Sequence, residues 1–538
     1  MTLLDIVILL PLAGFLVTLF IPRSNPSLVR TFTVAMALIT FVVSLGLALG
    51  FNSDTAGLQF ETNFVWIANP QINYHVGIDG ISLWLIILST FLTPICVMLS
   101  WRAVKERPKE FYAFLLLLEF GLVGVFAAFD LFLFYVFWEV CLIPMYFLIG
   151  IWGHDRRIYA AVKFFLYTMT GSVLMLVAII YLYQRAGAGS FDYATILGAI
   201  QSGRATLTGA EQLWLFLAFF FAFAIKVPLF PLHTWLPDAH VEAPTAGSVM
   251  LASVMLKMGT YGLVRYCLPL FPNAARQCAP WIIPLAIIGI VYGALVAMVQ
   301  PNMKKLVAYS SVSHLGFVVL GIFSFTQLGL DGAVYQMLNH GISTGALFVL
   351  VGFMYERRHS LEIVDYGGVA TVAPWLSTIF LITTLASIGL PTLNNFIGEF
   401  LVLQGSAQVN ILWTVFASLG VILSACYMLW LYQRVFYGKA SEEVEHHMPD
   451  FSGREWACMV PLIIMMVWMG TYTQTFLTPV TKATARMLEQ TTTSAPIRAQ
   501  VLHQRALATR GPDPEGAPDE GVRPTISAIS AGGSQHAR

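Results

Sequence analysis

Charge is what this chain has least of. Only 11% of its 538 residues are Asp, Glu, Lys or Arg, where a soluble domain carries about a quarter. The 29 basic and 29 acidic residues cancel, so no excess of positive charge points to nucleic acid. Cysteine is scarce too. Cys96, Cys141, Cys267, Cys278, Cys426 and Cys458 are scattered, none in CxxC or another metal spacing. They read as small core residues rather than disulfides or cluster ligands. Walker A and GxGxxG motifs are missing, as are paired histidines at haem-like depth, so the chain carries no visible means of oxidising anything by itself. The start lacks a signal-peptide layout, because Met1 to Leu4 bear no positive charge and Asp5 follows at once. The first helix is therefore expected to stay as an anchor.

What fills the chain instead is apolar sequence, 57% of it. A helix needs about 20 apolar residues to cross a bilayer. About fourteen segments qualify on that rule, at 3–20, 31–50, 81–100, 112–129, 131–150, 161–184, 212–235, 245–267, 279–299, 304–325, 331–355, 373–403, 410–435 and 456–475. The expected fold is an all-α polytopic membrane protein. Residues 51–80 read as a polar loop. Lys and Arg gather in the odd-numbered loops, among them Arg102, Lys105, Arg107 and Lys109, then Arg156 and Arg157, then Arg357 and Arg358. Positive residues collect on the cytoplasmic side. Both termini are thus predicted on the other face, the periplasm of a bacterial inner membrane. From about 488 to 538 the composition turns to Gln, Thr, Ser, Ala, Pro, Gly and Arg, which reads as a disordered tail after a transmembrane domain over 1–475.

The seventh segment is the most informative. It holds Lys226 after a long apolar run and then Pro228 and Pro231. A lysine at bilayer depth costs about 2.5–3.5 kcal/mol even on a lenient scale. Interior prolines remove backbone hydrogen bonds, and a broken helix is not tolerated facing lipid. The twelfth segment is interrupted in the same way, at Gly389-Leu390-Pro391 and Asn394-Asn395, and carries Glu399. Paired broken helices in corresponding halves point to a transport site between inverted repeats. The two five-helix repeats would span about 112–267 and 279–435.

Other ionisable residues sit in apolar runs: Glu139 in the fifth segment, Lys257 in the eighth, His314 in the tenth and His340 in the eleventh. Burial disfavours the charged form of Glu and Lys alike, so pairing Glu139 with Lys226 would restore both charges. A static buried pair is the plainer alternative, but such pairs stabilise poorly. Each histidine alone reads equally as a hydrogen-bonded core residue or as a proton relay. Glu119 is a further candidate for the network. Asp238, His240 and Glu242 look like loop residues at a membrane exit, and their spacing fits no helix-borne metal motif.

The runs Lys226-Val227-Pro228, Pro237-Asp238-Ala239-His240-Val241-Glu242-Ala243-Pro244-Thr245, Lys257-Met258-Gly259 and Lys305-Leu306-Val307-Ala308-Tyr309-Ser310-Ser311-Val312-Ser313-His314-Leu315-Gly316 carry a specific likeness. On them the chain resembles the antiporter-like subunits of respiratory complex I, the proton-pumping NADH:quinone oxidoreductase, over about residues 1–475. Glu399 stands where the L and N types of that family carry lysine, which sets the chain apart from both. The resemblance implies a proton-translocating subunit. Glu139 and Lys226 would be its coupled pair, Lys257 its central carrier, His314 and His340 its relay groups, and Glu399 its terminal group. It also implies L-type and N-type neighbours in a lipid membrane, with FMN, iron–sulfur clusters and quinone held by partner subunits and no cofactor in this chain. The rival likeness is to the D subunit of multisubunit Na+/H+ antiporters.

Overall fold

The computed structural model describes residues 1–187 and 189–491, and the predicted tail from 492 onward lies outside them. Among the described residues twelve helices are long and apolar enough to cross a membrane, and a bent pair, Gly453–Thr471 with Gln474–Gln490, brings the number to thirteen if it is one span. The molecule is a multi-pass membrane protein, as the composition required. The segment expected at 373–403 is two helices of 14 residues each, Pro374–Ser387 and Asn394–Ala407. Neither is long enough to cross alone.

Helix starts follow from local chemistry. Asp130 caps Leu131–Trp152 by accepting from the backbone N–H of Phe132 and Leu133. Asn302 caps Met303–Phe323 and Thr326 caps Gln327–Arg358 in the same way. These caps satisfy donors that the helix itself leaves free. Burial then sorts the helices. Thr245–Leu270 and Gln327–Arg358 are buried throughout their most apolar 18 residues, while the corresponding stretches of Pro26–Leu49 and Ile411–Phe436 are 28% buried and those helices turn Val42, Ile411 and Phe416 outward. Apolar side chains on that outer rim are what a lipid solvent favours.

Both predicted breaks are present. Gly209–Lys226 ends at Lys226, the chain loops over 227–234 with Pro228 and Pro231, and Trp235–Glu242 resumes the helix. The second break covers 388–393, with Gly389 at φ +77°, a conformation glycine reaches without a Cβ penalty. Asn394 and Asn395 are not part of this break, because they open the helix that carries Glu399.

Four features escaped the sequence reading. The loop 51–80 contains an antiparallel hairpin, Gln59–Ala68 paired with Gln71–Ile78, with Asn63 opposite His75. Asn69-Pro70 makes its turn. A short helix, Tyr193–Gln201, follows the sixth span. Helix Thr245–Leu270 contains two π-helical stretches, Leu251–Met255 and Leu263–Cys267. Finally, the compact body runs to Thr491 rather than 475. Gln474–Gln490 buries Phe476, Val480, Ala483, Thr484 and Met487, the spacing of one helix face.

Two glycines set a close helix contact in the core. Gly341 and Gly345 of Gln327–Arg358 lie against Ser253 of Thr245–Leu270. A Cβ on Gly341 would come within 2.9 Å of the Ser253 carbonyl oxygen, and one on Gly345 within 2.4 Å of its hydroxyl. Small residues four apart let helix backbones meet this way in membranes.

Candidate functional site

That contact brings Lys257 to His340. Lys257 is fully buried. Its Nζ donates to the Ala252 carbonyl oxygen at 2.6 Å and lies 2.7 Å from His340 Nδ1. Ala252 belongs to the first π-helical stretch, where the i→i+5 pattern disturbs the α-helical ladder. The His340 ring is 5.8 Å from the His314 ring, centroid to centroid. His314 Nδ1 in turn lies 2.7 Å from Glu399 Oε1, which also accepts from Gln336 Nε2 at 3.0 Å. Four of the six predicted residues therefore stand in one buried row: Lys257, His340, His314, Glu399. All four are no more than 3% exposed.

The other two are placed differently. Lys226 is 1% exposed, yet its Nζ has no hydrogen-bond partner among the described residues. It lies over aromatic rings instead, 5.4 Å from the Trp138 centroid and 5.2 Å from that of Phe164. Such faces attract a cation weakly. Glu139 sits on Leu131–Trp152, and its Oε1 is buried without a partner. The direct Glu139–Lys226 ion pair expected from the sequence is not formed in this conformation.

Glu119, the further candidate, is fully buried, and among the described residues neither carboxylate oxygen is hydrogen-bonded, to the row or elsewhere. The reading of 238–242 as a loop is corrected, because these residues form the helix Trp235–Glu242. Asp238 there pairs with Lys163 at 2.7 Å. His240 is fully buried and stacks on Phe348 with centroids 4.5 Å apart. Lys304, in the first turn of Met303–Phe323, is fully buried and donates to the Ala243 carbonyl oxygen at 2.9 Å. Sequence reasoning missed it because a lysine beside a helix start looks ordinary. Gln336 was missed because an amide carries no charge to stand out. Among the described residues no three His, Cys, Asp or Glu side chains gather as metal ligands would.

The fold is that of a multi-pass membrane subunit, a broken-helix bundle with a buried Lys–His–His–Glu row, and comparison with known proteins gives its family. Residues 128–424 match the family described as NADH:quinone oxidoreductase/Mrp antiporter, transmembrane, and residues 6–125 match the NADH-ubiquinone oxidoreductase chain 4 amino terminus. The chain belongs to this family. It is 48% identical over 480 residues to NADH-quinone oxidoreductase subunit M of Rhodobacter capsulatus, covering 87% of this chain and 93% of that protein. It is 45% identical over 471 residues to NADH-ubiquinone oxidoreductase chain 4 of Marchantia polymorpha, covering 87% and 94%. The likeness is thus to the M type. A chain in the solved structure of respiratory complex I from Thermus thermophilus with bound NADH superposes with a TM-score of 0.81 at 32% identity, covering 90% of this chain and 99% of that one.

Proposed function

We propose that this chain is a proton-translocating membrane subunit of an NADH:quinone oxidoreductase. The observation that carries the reading is the row itself. Lys257 to His340 and His314 to Glu399 are each 2.7 Å apart inside the body of the bundle. In the proposed path a protonated Lys257 donates to the neutral Nδ1 of His340. The proton then passes to His314 across the gap between the rings, bridged by one water or a ring rotation, and on to the Glu399 carboxylate. Imidazole suits both steps because it has a donor and an acceptor nitrogen. Ionisable groups at this depth are costly and mark proton pathways.

Lys226 is proposed to control the loading of Lys257. Approach of Glu139 favours charge on Lys226, and withdrawal disfavours it. Moving one charge against 100 mV costs about 2.3 kcal/mol. At 1.36 kcal/mol per pKa unit, a swing of about 1.7 units supplies that, well within what buried lysines undergo. The energy would come from redox chemistry on FMN, iron–sulfur clusters and quinone in partner subunits, with L-type and N-type subunits as membrane neighbours. The hairpin end of the bundle is proposed to face the periplasm, together with both termini, because arginine and lysine gather at the other end. The two five-helix repeats are proposed on the paired breaks at 227–234 and 388–393.

The family description also names Mrp antiporters. Sodium-dependent proton exchange without NADH would mark that reading. The direct test is Lys257→Met in the assembled complex in inside-out membrane vesicles. NADH-driven proton uptake is expected to fall at least several-fold with assembly intact, and wild-type uptake would overturn the proposal.

A further inference from the structure

Helix Thr245–Leu270 continues past Lys257 toward the hairpin end. Eight residues on, about 12 Å along the axis, it carries Arg265. This arginine is 1% exposed and its Nη2 lies 2.7 Å from the Asp79 carboxylate, itself 3% exposed, at the foot of the hairpin. The guanidinium also lies over the rings of Phe129 and Tyr261, 4.9 and 5.2 Å from their centroids. The surrounding hydroxyls are tied down. Tyr261 donates to the Phe126 carbonyl, Tyr266 to that of Ala128 and Tyr193 to that of Arg265.

The knot offers a proton no place to stop. Arginine does not give up its proton in proteins, and the hydroxyls donate to backbone oxygens. Burial pushes the Asp79 carboxyl up. The charge and hydrogen bond of Arg265, with the amides of Ser82 and Ile81, outweigh it and hold Asp79 below the usual carboxylate range. The relay, by contrast, leaves Lys257 sideways through His340. A sideways path conserves energy only if the straight one, from Lys257 down its own helix to the hairpin face, is closed. A fixed guanidinium is a barrier of the kind that excludes protons from other membrane pores.

The geometry points to the Asp79–Arg265 pair as the seal that prevents protons on Lys257 from escaping directly to the hairpin side. This rests on the relay reading above. It makes Arg265 a positioning and barrier residue rather than a carrier, and it predicts an asymmetry that a merely structural ion pair would not show. Arg265→Leu removes the fixed cation and leaves Asp79 as a lone buried carboxylate able to take and release a proton. Asp79→Asn breaks the same pair but leaves the cation and no titratable group.

The test uses the purified complex in proteoliposomes, normalised to assembled complex on native gels, with decay of an imposed pH gradient measured without NADH. Arg265→Leu is expected to speed the decay several-fold. Asp79→Asn, which keeps the cation and adds no titratable group, is expected to decay at the wild-type rate. Adding Lys257→Met to Arg265→Leu is expected to restore tightness. Equal leaks from Arg265→Leu and Asp79→Asn, or no leak from either in assembled complex, would overturn the seal. A leak in Arg265→Leu that persists with Lys257→Met overturns the seal and leaves the relay standing. Wild-type NADH-driven pumping by Lys257→Met alone overturns both.

Discussion

The two broken helices hold their charged residues in opposite ways. In the second, Glu399 is bound on both sides, by His314 at 2.7 Å and Gln336 at 3.0 Å. In the first, Lys226 has no hydrogen-bond partner and rests between the rings of Trp138 and Phe164. A bound carboxylate is suited to receive a proton without moving. A lysine held only by aromatic faces is poorly compensated, so a small change in a nearby charge alters its proton affinity strongly. Under the proposed function, transfer falls to one break and control to the other.

The strongest way to break that contrast is Glu399→Gln. The amide keeps the size but cannot carry a proton, so NADH-driven uptake in vesicles is expected to fall as far as with Lys257→Met. If uptake persists, Glu399 is only a packing partner. A middling effect is expected at the first break. Lys226→Gln and Glu139→Gln should each slow pumping, and the double variant should be no slower than the worse single one, because both act on one loading step. Additive losses would show independent roles.

The smallest effect sharpens the contrast from outside the membrane. His75 of the hairpin lies 2.5 Å from Asp192, the cap of Tyr193–Gln201, and 2.9 Å from Glu61. Burial opposes charge on His75. The hydrogen bonds and charges of Asp192 and Glu61 outweigh it and raise its pKa above 6.5, while the hydrogen bond from His75 helps hold Asp192 below the usual carboxylate range. A raised histidine pKa stabilises the fold fully below the unfolded value, about 6.5, and that share is lost as pH rises through the folded value. The depressed Asp192 works the other way, and its share is lost only on strong acidification. Protection factors for amide hydrogen exchange in 59–78, which remove the base-catalysed rise of the intrinsic rate, are therefore expected to fall modestly from pH 6 to 9, and that slope should flatten in His75→Gln while pumping stays unchanged. A slope that His75→Gln leaves intact would remove the clasp from the explanation.

Much of this was legible because charge is so rare here. A lysine or glutamate inside an apolar run stands out, which is why Lys226, Lys257, Glu139 and Glu399 were found, and prolines marked the first break. What was illegible has physical causes as well. His240 and Lys304 lie near helix ends, where polar residues are expected, so their full burial left no trace. The hairpin hid because its strands are interleaved with Asn, Gln and Thr. The π-helical stretches have no compositional signal, since the same residues build an α-helix. The separation of Glu139 from Lys226 is a side-chain distance between two helices, and residue order does not encode it.

The seat formed by Gly341 and Gly345 against Ser253 has one more effect. With only the small Ser253 side chain between the two central helices there, little can compress or swing to alter their spacing. Lys257 and His340 must ride together when either helix shifts, like teeth cut on one gear. The step between them is then opened or closed by which partner holds the proton more tightly, and the bulk of even one methyl group at Gly345 would spoil the fit.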